Sequence, residues 1–241
     1  MSQPFSLAAA GRVIDGAISR LVHDLTTAPL PPAEIRRRAL AGYRSARQGT
    51  IDIIRDLTQS QADFTPASKV WSIGQNVQHL LLIEDLHRGN MRKMIEMARQ
   101  GKGGNIDLTF QQINTSFAYI PREVIPVFAA PLNLMNMFIP RAIRETMFRI
   151  PLIPAIHPTF SSPAGHQPID DLCSRAQSSI EATEAIFQGE MPPDLNQVTT
   201  SHPILGTNNI PQILGIIAAH EERHHAQMRS VLNNPRFPKE R

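Results

Sequence analysis

The stretch Asn209-Ile-Pro-Gln-Ile-Leu-Gly-Ile-Ile-Ala-Ala-His-Glu-Glu-Arg-His-His-Ala-Gln-Met-Arg-Ser-Val-Leu232 reads as one helix. Asn209 is a capping residue, Gln212 three positions on completes a capping box, and Pro211 falls in the first turn, where a missing N–H costs nothing. At 100° per residue Ile213, Ile216, Ile217, His220, His224, Gln227 and Val231 share one stripe. Two imidazoles four residues apart therefore stand on an apolar face. A pair at that spacing on one helical turn can converge on a single cation.

Two ligands do not hold a metal, and the third has to come from elsewhere in the chain. His220-Glu-Glu-Arg-His224 has the H-E-x-x-H form of zinc proteases, but those enzymes take a further ligand from downstream. Only seventeen residues follow His224, with no H-x-x-G-x-x-H continuation. The candidate is upstream. In Trp71-Ser-Ile-Gly-Gln-Asn-Val-Gln-His-Leu-Leu-Leu-Ile-Glu84, Ser72 and Gln75 form a second capping box, and His79 lies on a stripe with Ile83, Leu86, Asn90, Met94 and Met97.

Working outward, the remaining pattern is helical. Helices are expected near 6–25, 34–57, 73–99, 168–187 and 210–232, with a polar loop over 59–70 that delivers Trp71 to the next helix and Gly101-Lys-Gly-Gly104 ending the third. Residues 101–168 hold nine of the twenty prolines, so this segment reads as a partly helical insertion. The fold expected is all-α and a single domain over 1–241. Bundle helices 1 and 2 lie in 33–100 and helices 3 and 4 in 168–232, with an accessory helix at 6–25 and an insertion or lid at 101–167.

Composition narrows the function classes. The net charge is only +3, and no nucleic-acid motif accompanies the arginines. Arg36, Arg37, Arg38, Arg44 and Arg47 lack interleaved aromatics and read as a solvated basic face, so no nucleic-acid partner is expected. The single Cys173 excludes a disulfide framework within the chain and suits a reducing cytoplasm; its place on an apolar helix side indicates packing rather than nucleophilic work. The N-terminus lacks a basic n-region, and no apolar run approaches the ~20 residues that cross a bilayer. The Met- and Phe-rich stretch from Leu132 to Arg149 reads as a helix packed over one end of the bundle rather than a stable membrane anchor. A soluble cytoplasmic protein is expected.

The ordered set Trp71-Ser72-Ile-Gly, His79-Leu80 with Glu84, His202-Pro203-x-x-Gly206 and His220-x-x-Arg223-His224-x-x-Gln227 resembles the DinB-like, or YfiT-like, metalloenzymes over about residues 35–100 and 165–232. The resemblance implies a four-helix bundle with His79, His220 and His224 on one divalent metal, the same three residues that the helical faces single out. The N-terminal helix and the long insertion depart from the family pattern, so the resemblance leaves a homodimer open.

Three neutral imidazoles leave coordination positions free, as in catalytic sites, with zinc or nickel ranked ahead of manganese or iron. Glu84 and Glu221 are the carboxylates nearest in sequence, yet each lies over 90° from its helix's ligand stripe and is a weak candidate base. Gln227 is expected just beneath the metal. Met135, Phe138, Arg141, Arg144 and Phe148 of the insertion are expected to line the substrate side. The resulting expectation is a transferase joining a low-molecular-weight thiol cosubstrate to a small electrophilic substrate, because a coordinated thiol needs no protein base. A metal-dependent hydrolase and a metal-binding stress or binding protein without turnover are the alternatives.

Overall fold

A computed structural model describes residues 30–68, 70–107, 116–117, 155–156, 163, 165–192, 195–202 and 206–239. Helices α1 (Pro32–Ile54), α3 (Ile73–Arg99), α4 (Ile169–Ala185) and α5 (Ile210–Leu232) form the bundle, and a short helix α2 (Gln59–Asp63) precedes α3. α1 packs chiefly against α5 and α4, and α3 against the same two helices. The expected accessory helix at 6–25 and nearly all of the 101–167 insertion, including Met135, Phe138, Arg141, Arg144 and Phe148, lie outside the described residues.

Local chemistry sets the helix ends. Ser72 and Gln75 cap α3 reciprocally, as do Asn209 and Gln212 for α5, with Pro211 in its first turn. α3 stops at Gly101, whose φ of 67° is a left-handed conformation that favours glycine. Gly101 N–H bonds to the Ala98 carbonyl at 3.0 Å and Lys102 N–H to the Met97 carbonyl at 2.9 Å, the double closure of a Schellman turn. The loop expected over 59–70 instead opens with α2, because Thr58 and Gln61 make their own capping box. α2 also serves its neighbour: Pro168 offers no side-chain cap to α4, and Gln59 Oε1 accepts from Ile169 N–H at 2.8 Å in its place.

Strands were not expected. Among the described residues β1 (Gly104–Asp107) runs parallel to β4 (Val198–His202), which pairs antiparallel with β5 (Gly206–Asn208), while β2 (Ser116–Phe117) pairs antiparallel with β3 (Ala155–Ile156). Thr199 and Thr200 are β-branched and keep the segment after the 3-10 turn extended. The pairing partner, 94 residues earlier in sequence at Asn105↔Thr199, is a tertiary matter.

Apolar side chains form two clusters. One gathers Ile51 and Ile54 of α1, Ile73 and Val77 of α3, Leu172 of α4 and Met228 of α5. The other gathers Tyr43, Met91, Met94, Ile186, Ile213 and Leu214. In each of the four long helices, polar residues lie between the positions given to the two clusters, and these residues are buried: Arg47 and Thr50, Glu84 and Arg88, Ser179 and Thr183, Glu221 and His225. A polar layer thus divides the core. Each fully buried apolar side chain on either side of it contributes roughly 1.5–3 kcal/mol. The layer's buried charges are offset by pairing with one another through Arg47 Nη2, although Arg47 Nε and Nη1 have no hydrogen-bond partner among the described residues.

Candidate metal centre and the charged layer beside it

His79 stands in the second turn of α3, and His220 and His224 stand one turn apart on α5. Their ligand nitrogens all lie within 4.8 Å of one another. His79 Nε2 is 3.3 Å from His220 Nε2, and His224 Nε2 is 3.1 Å from the same atom. A ring nitrogen carries either one proton or one in-plane lone pair. His220 Nε2 therefore cannot satisfy both short contacts with hydrogen bonds. A cation accepting all three lone pairs removes the conflict. Two imidazole nitrogens bound to one tetrahedral ion at about 2.0–2.1 Å stand roughly 3.3 Å apart, which matches the two observed separations. The residues fit a divalent ion, and an all-nitrogen set suits zinc or nickel better than calcium or magnesium.

His79 and His224 are 2 % and 1 % exposed, whereas His220 is half-buried. Access to the cluster is therefore at His220. Trp71 closes another side, its ring stacked on His224 with centroids 6.2 Å apart and tilted over His79 at 5.0 Å. His224 Nδ1 bonds to Asn76 Oδ1 at 2.7 Å. Gln227, one turn beyond His224, is half-buried, and the side chain bonded to His224 Nδ1 is Asn76 of α3.

Glu84 and Glu221 are both fully buried, and each is held by cations and hydroxyls. Arg47 Nη2 pairs with Glu84 Oε2, and with Glu221 Oε1 at 2.6 Å. Glu84 also accepts from Tyr43 Oη at 2.6 Å, Thr183 Oγ1 at 2.7 Å and Arg88 Nη1 at 3.2 Å. Glu221 accepts from Thr50 Oγ1, whose oxygen lies 2.8 Å from His225 Nε2. With the threonine proton committed to the carboxylate, His225 Nε2–H is the donor to Thr50. Neither carboxylate is offered to the histidine cluster.

Burial pushes the Glu221 carboxyl up, and Arg47 and Thr50 pull it back in part. Burial, followed by Arg229 and Arg47, brings His225 down to about 4, so it is neutral. Burial and then Glu84 raise the Tyr43 phenol, which stays a donor. Cys173 packs against an apolar cluster, and burial followed by Asp170 raises its thiol, in keeping with a packing role.

Arg47 corrects the expectation of a solvated basic face. Its side chain is 0 % exposed, although Arg37 and Arg44 of the same helix are exposed. The signal was present in the spacing, since 47 falls on the stripe of Tyr43, Thr50 and Ile54, but residue type argued the other way. Asn76 carries no comparable signal. It lies three residues before His79, a spacing that gives no sign of the α5 histidine it serves.

A helical bundle whose core carries three converging imidazoles, one of them open to solvent, defines a class of candidate metal-binding protein. A sequence model described as the DinB superfamily matches residues 43–228, a span containing all three histidines, and the chain belongs to that superfamily. Nothing among curated proteins or solved structures matched the chain. No helix among the described residues is long and apolar enough to cross a membrane.

Proposed function

We propose that this chain is a divalent-metal-dependent transferase that joins a low-molecular-weight thiol to a small electrophile, with His79, His220 and His224 as the metal ligands. One observation carries the preference for transfer over hydrolysis: Glu84 and Glu221, the two buried carboxylates of the ligand helices, are both committed to Arg47. Hydrolysis by activated water gains from a positioned general base, and neither group is available for that role. A divalent cation, when bound, supplies the positive charge that ionises a coordinated thiol near neutral pH.

The chain's own residues do the rest. Asn76 and the two buried imidazoles hold the donor set in place, Trp71 excludes water from one side, and the half-buried His220 leaves an entry for the thiol and its partner. The thiolate sulfur forms a bond to the electrophilic carbon, the leaving group departs with its electron pair, and the thiol proton passes to solvent. Met135, Phe138 and Phe148 are proposed to wall the electrophile, and Arg141 or Arg144 to hold an anionic group on either reactant.

The test begins with metal analysis of the purified protein. Metal-loaded protein is then incubated with glutathione, bacillithiol or mycothiol and a haloarene or bimane, and thioether product is followed by mass spectrometry. Product that disappears in His79→Ala is the expected result. Ester hydrolysis dependent on His79, with no thioether from any of these thiols, overturns transfer in favour of hydrolysis; stoichiometric metal with neither activity leaves a metal-binding protein without turnover.

A further inference from the structure

Asn76 is held from one side and reaches a candidate ligand from the other. Its Nδ2 donates to the Ser72 carbonyl at 2.8 Å, and its Oδ1 lies 2.7 Å from His224 Nδ1. Both residues are buried, Asn76 at 1 % and His224 at 1 % exposure. A carbonyl oxygen only accepts, so the Ser72 bond decides which end of the amide is nitrogen. The end facing His224 is therefore oxygen. An oxygen there accepts only, so His224 must carry its proton on Nδ1, and its Nε2 presents a lone pair toward His220. The Ser72 carbonyl is fixed in turn by the reciprocal cap of α3, where Ser72 Oγ accepts from Gln75 N–H at 3.1 Å and Gln75 Oε1 from Ser72 N–H at 2.9 Å.

From this chain of contacts we infer that Asn76 is the positioning residue that sets the tautomer and ring orientation of His224, coupling the N-terminal cap of α3 to a ligand on α5. The amide does for this histidine what an outer-shell carboxylate or backbone carbonyl does at other metal sites, where losing such a partner weakens metal binding about 10–100-fold. The affinity part of this inference rests on the metal reading above; the tautomer part does not.

The experiment uses the full chain with two substitutions. In metal-free protein, long-range 1H–15N spectra of the imidazoles report which nitrogen of His224 is protonated. Nickel(II) affinity is then read from Trp71, the single tryptophan of the chain, through its fluorescence beside His224. Wild type is expected to show one His224 tautomer, protonated at Nδ1. Asn76→Leu keeps the side chain's bulk but removes the acceptor, and is expected to lose that single tautomer and to bind nickel(II) about 10–100-fold more weakly. Asn76→Asp keeps the acceptor facing His224 but sets a second oxygen against the Ser72 carbonyl, so it is expected to restore Nδ1 protonation and only part of the affinity.

An Asn76→Leu protein with an unchanged tautomer and unchanged affinity overturns the inference, as does an Asn76→Asp protein in which His224 is not protonated at Nδ1. If wild type binds no metal yet Asn76→Leu still loses the Nδ1–H form, the positioning role stands and the metal reading falls.

Discussion

Replacing Arg47 by Met isolates what the buried charged layer contributes. Glu84 would keep Tyr43, Thr183 and Arg88 as donors, but Glu221 would keep only Thr50 and lose its paired cation. Truncating one partner of a buried pair costs about 3–5 kcal/mol. Glu221 has an escape that caps the charge penalty, because it can take a proton. For an ordinary glutamate of pKa about 4.3, protonation costs about 1.36 kcal/mol per unit of pH above that value, which is about 3.7 kcal/mol at pH 7 and about 1 kcal/mol at pH 5. The expected loss at pH 7 therefore approaches 3.7 kcal/mol, or about 7–15 °C in thermal midpoint for a chain of this size.

The sign with pH follows. A carboxyl raised in the folded state stabilises the fold fully below its unfolded value, and that stabilisation is lost as pH rises through the folded value. Removing Arg47 removes an influence that lowers Glu221, so the curves of variant and wild type should converge as pH falls from 7 to 5. Urea denaturation of metal-free protein in that range measures it. The same loss at both pH values would mean the arginine acts by packing and not by charge. Adding Glu221→Gln to Arg47→Met should recover most of the deficit; a double variant less stable than Arg47→Met would also refute the reasoning.

His220→Ala should abolish metal retention together with the stabilisation that metal confers, which is about 2.7 kcal/mol at an ion concentration 100 times the Kd; a thermal midpoint that still rises with metal would put the ion elsewhere. Gly49→Ala would bring a Cβ to 2.8 Å from His225 Cε1, and because that ring is buried and bonded to Thr50 the expected cost is about 1–3 kcal/mol. Gly42→Ala, with nothing within 4 Å of the added carbon, should instead gain about 0.5–1 kcal/mol from helix propensity, so equal effects at the two glycines would contradict the packing described. His225 is lowered from 6.5 to about 4 in the fold, so its contribution is whole above 6.5 and is lost as pH falls toward 4. His225→Asn should flatten the acid side of the stability curve of metal-free protein, and an unchanged slope would show that His225 is not neutral when folded.

The helices and their ends were legible from the sequence because the interactions that make them are local. Ser72 with Gln75 and Asn209 with Gln212 sit three residues apart, and the apolar repeat that brings His79, His220 and His224 to inner faces is a property of single helices. The convergence of these three histidines could be read for that reason. The strands at 104–107 and 198–202 could not, since the hydrogen bonds between them join segments far apart in sequence; α2 does carry a local signal, the Thr58–Gln61 capping box, but is only five residues long.

Arg47 is the clearest case of a decision made only by the tertiary structure. An arginine stripe on an isolated helix is indistinguishable from a solvated face until two carboxylates, from α3 and α5, arrive to offset its burial. The same holds for Glu84 and Glu221, whose distance from the ligand stripe was visible but whose capture by one guanidinium was not. Asn76 became a candidate for holding His224 only when α3 and α5 packed, because a hydrogen bond across 148 residues of sequence leaves no periodic trace.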